Sequence, residues 1–196
     1  MDLDTDGQIN KLCIIDSIAE SASKSADIDR RLGAFLLYAG FVDYLTIQAA
    51  RLFEQIILKK QLTDAETASF HPHSDIFFYD EHVSTRRIFK EIKRHLPFSF
   101  TDQDEAKKIN ESAQKMIKHG DKFLSYRNTI VHHIGNPTKT FEDVIDLCDK
   151  AFERYKEFKT YHLAFMTAAQ PYSFSEKELE YWAERGIKIP PILILR

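Results

Sequence analysis

Ser125-Tyr126-Arg127-Asn128-Thr129-Ile130-Val131-His132-His133-Ile134 closes a stretch in which apolar residues recur at helical spacing from about residue 102 onward. At about 100° per residue, Ile109, Ala113, Met116, Ile117, Phe123, Leu124, Ile130, Val131 and Ile134 fall in one stripe. The pattern predicts a long amphipathic helix with that stripe toward a core. Arg127 lands in the middle of the stripe, where a bundle helix ordinarily carries Leu or Ile. A guanidinium keeps its charge, so burying it costs several kcal/mol unless it is paired or faces a wet cleft. Asn128 and His132 share one flank of the stripe, and His133 shares the other with Tyr126. One helix end thus offers a fixed cation, an amide and an imidazole toward the core side. An arginine at a helix end can also merely snorkel to water, and last-turn histidines can merely complement the helix dipole. What separates this arginine from that case is its place at mid-stripe.

The run Arg127-Asn128-x-x-x-His132 resembles the motif of the HEPN superfamily: an arginine, a polar residue after it, and a histidine a few residues on. The strict match spans about six residues, and a compatible helical layout runs through most of the chain. The resemblance implies an all-helical, dimeric domain and membership among metal-independent ribonucleases, several of them toxins or antiviral effectors. It also implies a candidate antitoxin or regulatory protein as partner. The chain departs from one subgroup in carrying Ile134 where some toxin members have a tyrosine two residues after the histidine.

Length and composition bound the fold independently of that resemblance. A chain of 196 residues with 43% hydrophobic and 29% charged content reads as one ordinary globular domain, and six Gly and six Pro are few for its length. All-α is the predicted fold, a bundle of about five to six helices over residues 1–170, with 171–196 as a C-terminal helix and apolar tail packed on it. A net charge of −3 argues against coating nucleic acid by bulk electrostatics but leaves room for a local basic groove. Cys13 and Cys148 each sit among apolar residues without metal or redox spacing, and the N-terminus has no secretory apolar run. A cytoplasmic protein with buried free thiols is the expectation.

Along the chain, a first helix is predicted from Gln8 to about Ser23, with Ile9, Leu12, Cys13, Ile15 and Ile18 as its apolar side. Asp27 is the candidate N-cap for a long helix over about 28–60. Between Leu32 and Ala50 its only charge is Asp43. The length would suit a membrane span, but a carboxylate at bilayer centre costs about 2.5 kcal/mol or more. No membrane partner is therefore expected; the helix is expected to be buried on most sides by its own bundle and by a partner subunit. Asp43 is either the counter-ion of Arg127 or an edge residue facing water. His71, His73 and Asp75 lack a further ligand and predict a loop rather than a metal site, with Phe77-Phe78-Tyr79 tucked onto the bundle. Ser84 caps a helix to about His95 whose apolar side is Ile88, Phe89, Ile92 and Leu96. Its other side carries Arg86, Arg87, Lys90, Lys93 and Arg94, five cations within nine residues, a face either simply solvated or set against RNA phosphates. Gly135-Asn136-Pro137 stops the motif helix, Thr140 caps the next (about 141–168), and Ser175-x-x-Glu178 has capping-box spacing. The tail from Ile187 is apolar, broken by proline and too short to span a membrane.

No nucleophilic Ser or Cys signature, Gly-rich phosphate loop or paired zinc-ligand motif is present, so no cofactor is expected. Arg127, Asn128 and His132 suit cleavage of RNA by its own 2′-hydroxyl. His132 would take the proton, Arg127 would steady the phosphorane oxygens, and Asn128 would orient imidazole or phosphate. Tyr126, His133 and Asp43 are accessory candidates. Arg127 and His132 lie about 140° apart around an ideal helix, too far to grip one atom easily. A two-fold homodimer sharing one cleft would resolve this. The competing reading is a non-catalytic helical module that binds nucleotide, nucleic acid or a protein partner. A third is a structural dimer in which Arg127 only pairs with Asp43.

Overall fold

The structure, a computed structural model, describes residues 5–64, 84–100, 102–135, 140–187, 189 and 192. Among these residues there are six α-helices and no strand, in the order α1 (Thr5–Ser23), α2 (Ile28–Asp64), α3 (Thr85–His95), α4 (Gln103–Gly135), α5 (Phe141–Ala169) and α6 (Glu176–Glu184). A 3-10 turn, Gln170–Tyr172, follows α5. Among the described residues the fold is all-α, as the periodicity predicts.

Local chemistry sets the helix starts. The Asp27 carboxylate accepts from the Asp29 N–H at 2.9 Å, and that of Asp102 accepts from Asp104 and Glu105 at 2.9 and 3.0 Å. Ser84 Oγ accepts from the Arg87 N–H. Thr140 Oγ1 accepts from the Asp143 N–H at 3.3 Å while the Asp143 carboxylate accepts the Thr140 N–H at 3.1 Å. Ser175 and Glu178 complete a full capping box. Each cap satisfies N–H groups that have no partner inside the helix. At the other end of α6, Gly186 adopts a φ of +79°. The Gly186 and Ile187 N–H groups then reach the Ala183 and Trp182 carbonyls, each at 3.0 Å. A residue with a Cβ would be strained there, which is why glycine ends the helix.

The described residues form two compact units. The first gathers those up to Tyr44 with Lys115–Thr160, and the second gathers those of Leu45–Gln114 with those from Tyr161 on. In the first, Phe35 stacks on Phe123 at 5.9 Å between ring centres, and Tyr38 stacks on Tyr155 at 4.2 Å with Phe152 edge-on at 5.3 Å. Met116, Ile117, Leu124, Ile130 and Phe158 complete a core in which each is at most 1% exposed. The Tyr155 hydroxyl donates to Asp16 at 2.9 Å, tying α1 to α5, and Lys159 pairs with the same carboxylate. Arg31 pairs with Asp149. Cys148 is buried there as a free thiol, and burial, with Asp149 beside it, pushes its pKa up to about 11.

In the second unit, Leu52, Phe53 and Ile56 of α2 are buried, as are Ile88, Phe89 and Ile92 of α3, Ile109 and Ala113 of α4, and Phe165 of α5. Leu58, Leu62 and Phe174 form a cluster covered by Leu179, Trp182, Ile187 and Ile189. Lys59 ties α2 to the start of α6 by donating to the Ser173 carbonyl at 2.9 Å and pairing with Glu178 at 2.9 Å.

Two expectations are corrected. Spacing puts Ile15 and Ile18 on the inner side of α1 and Val131 in the stripe of α4, yet Ile18 is 58% and Val131 53% exposed, and Ile15 is also exposed. Periodicity finds an apolar face but not what covers it, and in each case the buried arc is narrower than the apolar one. Helix α2 is long and apolar enough to cross a membrane, but half of its most apolar window is already buried inside the protein. Thr46, Gln48, Glu54 and Gln55 are polar residues of the same helix that are buried within the protein. His71, His73, Asp75 and the Phe77–Tyr79 run lie outside the described residues, as do Asn136, Pro137 and most of the C-terminal tail.

Candidate functional site

The last turns of α4 hold the motif, entirely within the first unit. Phe123 and Leu124 before Arg127, and Ile130 after it, are buried and fix this face of α4 against the core. Arg127 is half-buried among them, its side chain 29% exposed. Its Nη1 donates to both oxygens of Asp43 on α2, each at 3.2 Å. Of the two alternatives open for Asp43, the structure takes the counter-ion. The geometry is one nitrogen astride a carboxylate, not a two-nitrogen fork. The carboxylate side chain is 45% exposed, so the pair is worth at most about 1 kcal/mol to stability. No other hydrogen bond of the Arg127 guanidinium is made among the described residues.

Around this cation, Asn128 and His132 are exposed, while Tyr126 and His133 are half-buried. The side-chain contact that the Asn128–His132 spacing would allow is not made; both groups face solvent. The two imidazoles stand 5.8 Å apart, ring centre to ring centre, inclined by 60°. Thr129 Oγ1 turns back onto the Ser125 carbonyl at 3.0 Å and so takes no part in the site. Asp43, Arg127 and the two histidines are therefore brought to one unit. Arg86, Arg87, Lys90, Lys93 and Arg94 are all exposed on α3 in the other unit, with Arg94 paired to Glu91 at 2.8 Å.

Two features escaped the sequence. His119, on α4 two turns before Arg127, is half-buried, and its pKa is lowered, first by burial and then by Arg154 and lysines 118 and 122, against the pull of Glu157. Its signal is weak, since it follows Lys118 on what looks like a solvated face. The other is a pocket of about 670 Å³ in the second unit, lined by Phe98, Phe100 and Tyr172 together with Lys60, His95 and Pro97. The Phe98-Ser99-Phe100 run after Pro97 was its available signal: aromatics in a connector too short to be a helix.

Set against family models, characterised proteins and solved structures, the chain matches none of them.

Proposed function

We propose that this chain is a metal-independent endoribonuclease acting as a homodimer in the cytoplasm. The observation that carries the reading is the half-spent guanidinium of Arg127. Asp43 is bonded to Nη1 and orients the group, while Nε and Nη2, which make no hydrogen bond among the described residues, would bind a phosphate. The resemblance of Arg127-Asn128-x-x-x-His132 to the HEPN motif supports the same assignment. In the reaction the RNA 2′-oxygen attacks the adjacent phosphorus and its proton passes to the imidazole of His132. The bond from phosphorus to the 5′-oxygen breaks, and that oxygen takes a proton from a protonated imidazole or water. The products are a 2′,3′-cyclic phosphate and a 5′-hydroxyl end. Arg127 offsets the charge that builds on the phosphorane. The exposed apolar residues Ile14, Ile18, Leu36, Leu37 and Val131, all in the unit that holds the motif, are the surface on which a second copy would dock.

The ion pair itself favours a second reading, in which Arg127 is structural and the module binds without cleaving. Incubation of the purified chain with RNA in excess EDTA, beside Arg127→Ala and Asp43→Asn, separates the two. Cleavage that survives EDTA, leaves cyclic phosphate ends and is lost in Arg127→Ala supports the nuclease. Cleavage that Arg127→Ala retains, or that vanishes with EDTA and returns with magnesium, overturns it. Loss of thermal stability in both variants with no cleavage by the parent supports the structural pair.

A further inference from the structure

The pocket of the second unit is built in a way the motif does not require. Three half-buried aromatic rings line it in series: Phe98 to Phe100 at 5.6 Å between ring centres and Phe100 to Tyr172 at 4.1 Å. Both ends of this series are held in place. Asn110 of α4 accepts the Phe98 N–H at 2.7 Å and donates to the Phe98 carbonyl at 3.0 Å, so a single amide satisfies both backbone groups of an irregular segment. The Tyr172 hydroxyl donates to Glu105. The shelf is thus ordered before anything binds to it. Its volume of about 670 Å³ is in the range of small-ligand sites. A purely apolar guest does not fit, because Lys59, Lys60, Gln61, Ser99 and His95 also line it.

Charge narrows the guest further. Lys59 is already neutralised by Glu178, but Lys60 is exposed at the pocket edge. His95, the last residue of α3, lines the same pocket, so the pocket borders the C-terminal end of the helix whose exposed side carries five cations against the single carboxylate of Glu91. In a chain of net charge −3, this is where positive charge is concentrated. Aromatic faces beside a cationic track are the two components that hold single-stranded nucleic acid, bases on the rings and phosphates along the cations. We propose that this pocket stacks an unpaired base of single-stranded RNA, with the flanking phosphates on Arg86, Arg87 and Lys90 of α3. It is a binding site separate from Arg127, and it stands whether or not Arg127 cleaves what is bound.

The test uses the full chain and fluorescein-labelled oligouridine and oligoadenosine with 2′-O-methyl sugars throughout, which no 2′-hydroxyl mechanism can cut. Anisotropy titrations across a salt series give affinity and salt slope, and a duplex of matching length is the comparison. Phe100→Leu keeps an apolar side chain but removes the aromatic face, and is expected to weaken single-strand binding by about 5- to 150-fold. It should leave the salt slope unchanged. A combined Arg86→Gln, Arg87→Gln and Lys90→Gln variant, altered only at exposed positions, is expected to flatten the salt slope while the preference for single strand over duplex remains. Should Phe100→Leu not fold, photocrosslinking of 5-iodouridine RNA to the parent chain replaces it, with adducts expected on Phe98, Phe100 or Tyr172. The proposal is overturned by unchanged affinity in folded Phe100→Leu, by equal binding of duplex and single strand, by crosslinks mapping elsewhere, or by a polyglutamate peptide binding with the same Phe100 dependence. Because the probe is uncleavable, Arg127→Ala should bind it as the parent does. Binding without cleavage of natural RNA would then sink the nuclease and leave this site, and cleavage without pocket-dependent binding would do the reverse.

Discussion

Arg127 could be picked out because a permanent charge in an apolar stripe is a local conflict that the sequence displays openly. Its pairing with Asp43, 84 positions away, was one of two alternatives, and only the packing of α4 against α2 decides between them. The neighbouring histidines are separated by exposure: His132 faces solvent, while His133 is half-buried. If His132 is the base, His132→Ala is expected to lower cleavage at least about 100-fold. His133→Ala should cost far less, with both variants folded by circular dichroism. A dead His133→Ala beside an active His132→Ala would reassign the base. In the second unit, His162 is only 5% exposed, and burial pushes its pKa down to about 4, against the hydrogen bond to the Leu45 backbone. The folded state therefore resists a proton that the unfolded state accepts below about 6.5, so this residue's contribution is intact above that pH and is lost as pH falls toward 4. Roughly 2 kcal/mol should disappear between about pH 7.5 and 5, read from urea unfolding. In His162→Phe that pH dependence should flatten. An unchanged slope would show that the imidazole is not held neutral.

At the scale of the element, helix starts were legible because a cap is settled within four residues: Ser84, Thr140 and Ser175 each act at the position the sequence marked. Faces were less legible. Val131 and Ile18 belong to apolar arcs by spacing, but which part of an arc is covered depends on residues far along the chain. The connector 96–100 was unreadable for a related reason. Its order comes from Asn110, a polar residue on the following helix that no periodicity flags. The α6 capping box gives a direct test. Glu178 sits well below the ordinary carboxylate range, at about 2, because hydrogen bonds from Ser175 and Lys59 outweigh the opposing effect of burial. Its support for folding is therefore present above about pH 4.5 and lost as pH falls toward 2. Ser175→Ala is expected to cost about 1 kcal/mol by urea unfolding at neutral pH. The loss should be concentrated in α6, so hydrogen exchange there should speed up more than in α4. Equal acceleration in the two helices would mean the cap is not local in effect.

For the whole molecule, the exposed apolar side chains of the first unit are the ground on which the proposed homodimer is tested. Sedimentation at about 20 micromolar, a concentration suited to a stable interface of ordinary size, is expected to show a dimer. Leu36→Glu combined with Val131→Glu, at exposed positions, should shift it toward monomer without unfolding. A monomeric parent would remove the shared-cleft mechanism, since the separation of Arg127 and His132 around one helix would then stand unresolved. The bond between Asn110 and the Phe98 backbone has a consequence in time. An irregular segment normally samples many arrangements, and a guest must wait for the right one. Here one amide from a long helix holds the pocket wall, so the wall opens only as often as that part of α4 yields. Stopped-flow association with the uncleavable oligonucleotide should therefore accelerate in proportion to its concentration. In Asn110→Ala the rate should instead level off, limited by how fast the freed segment finds its place.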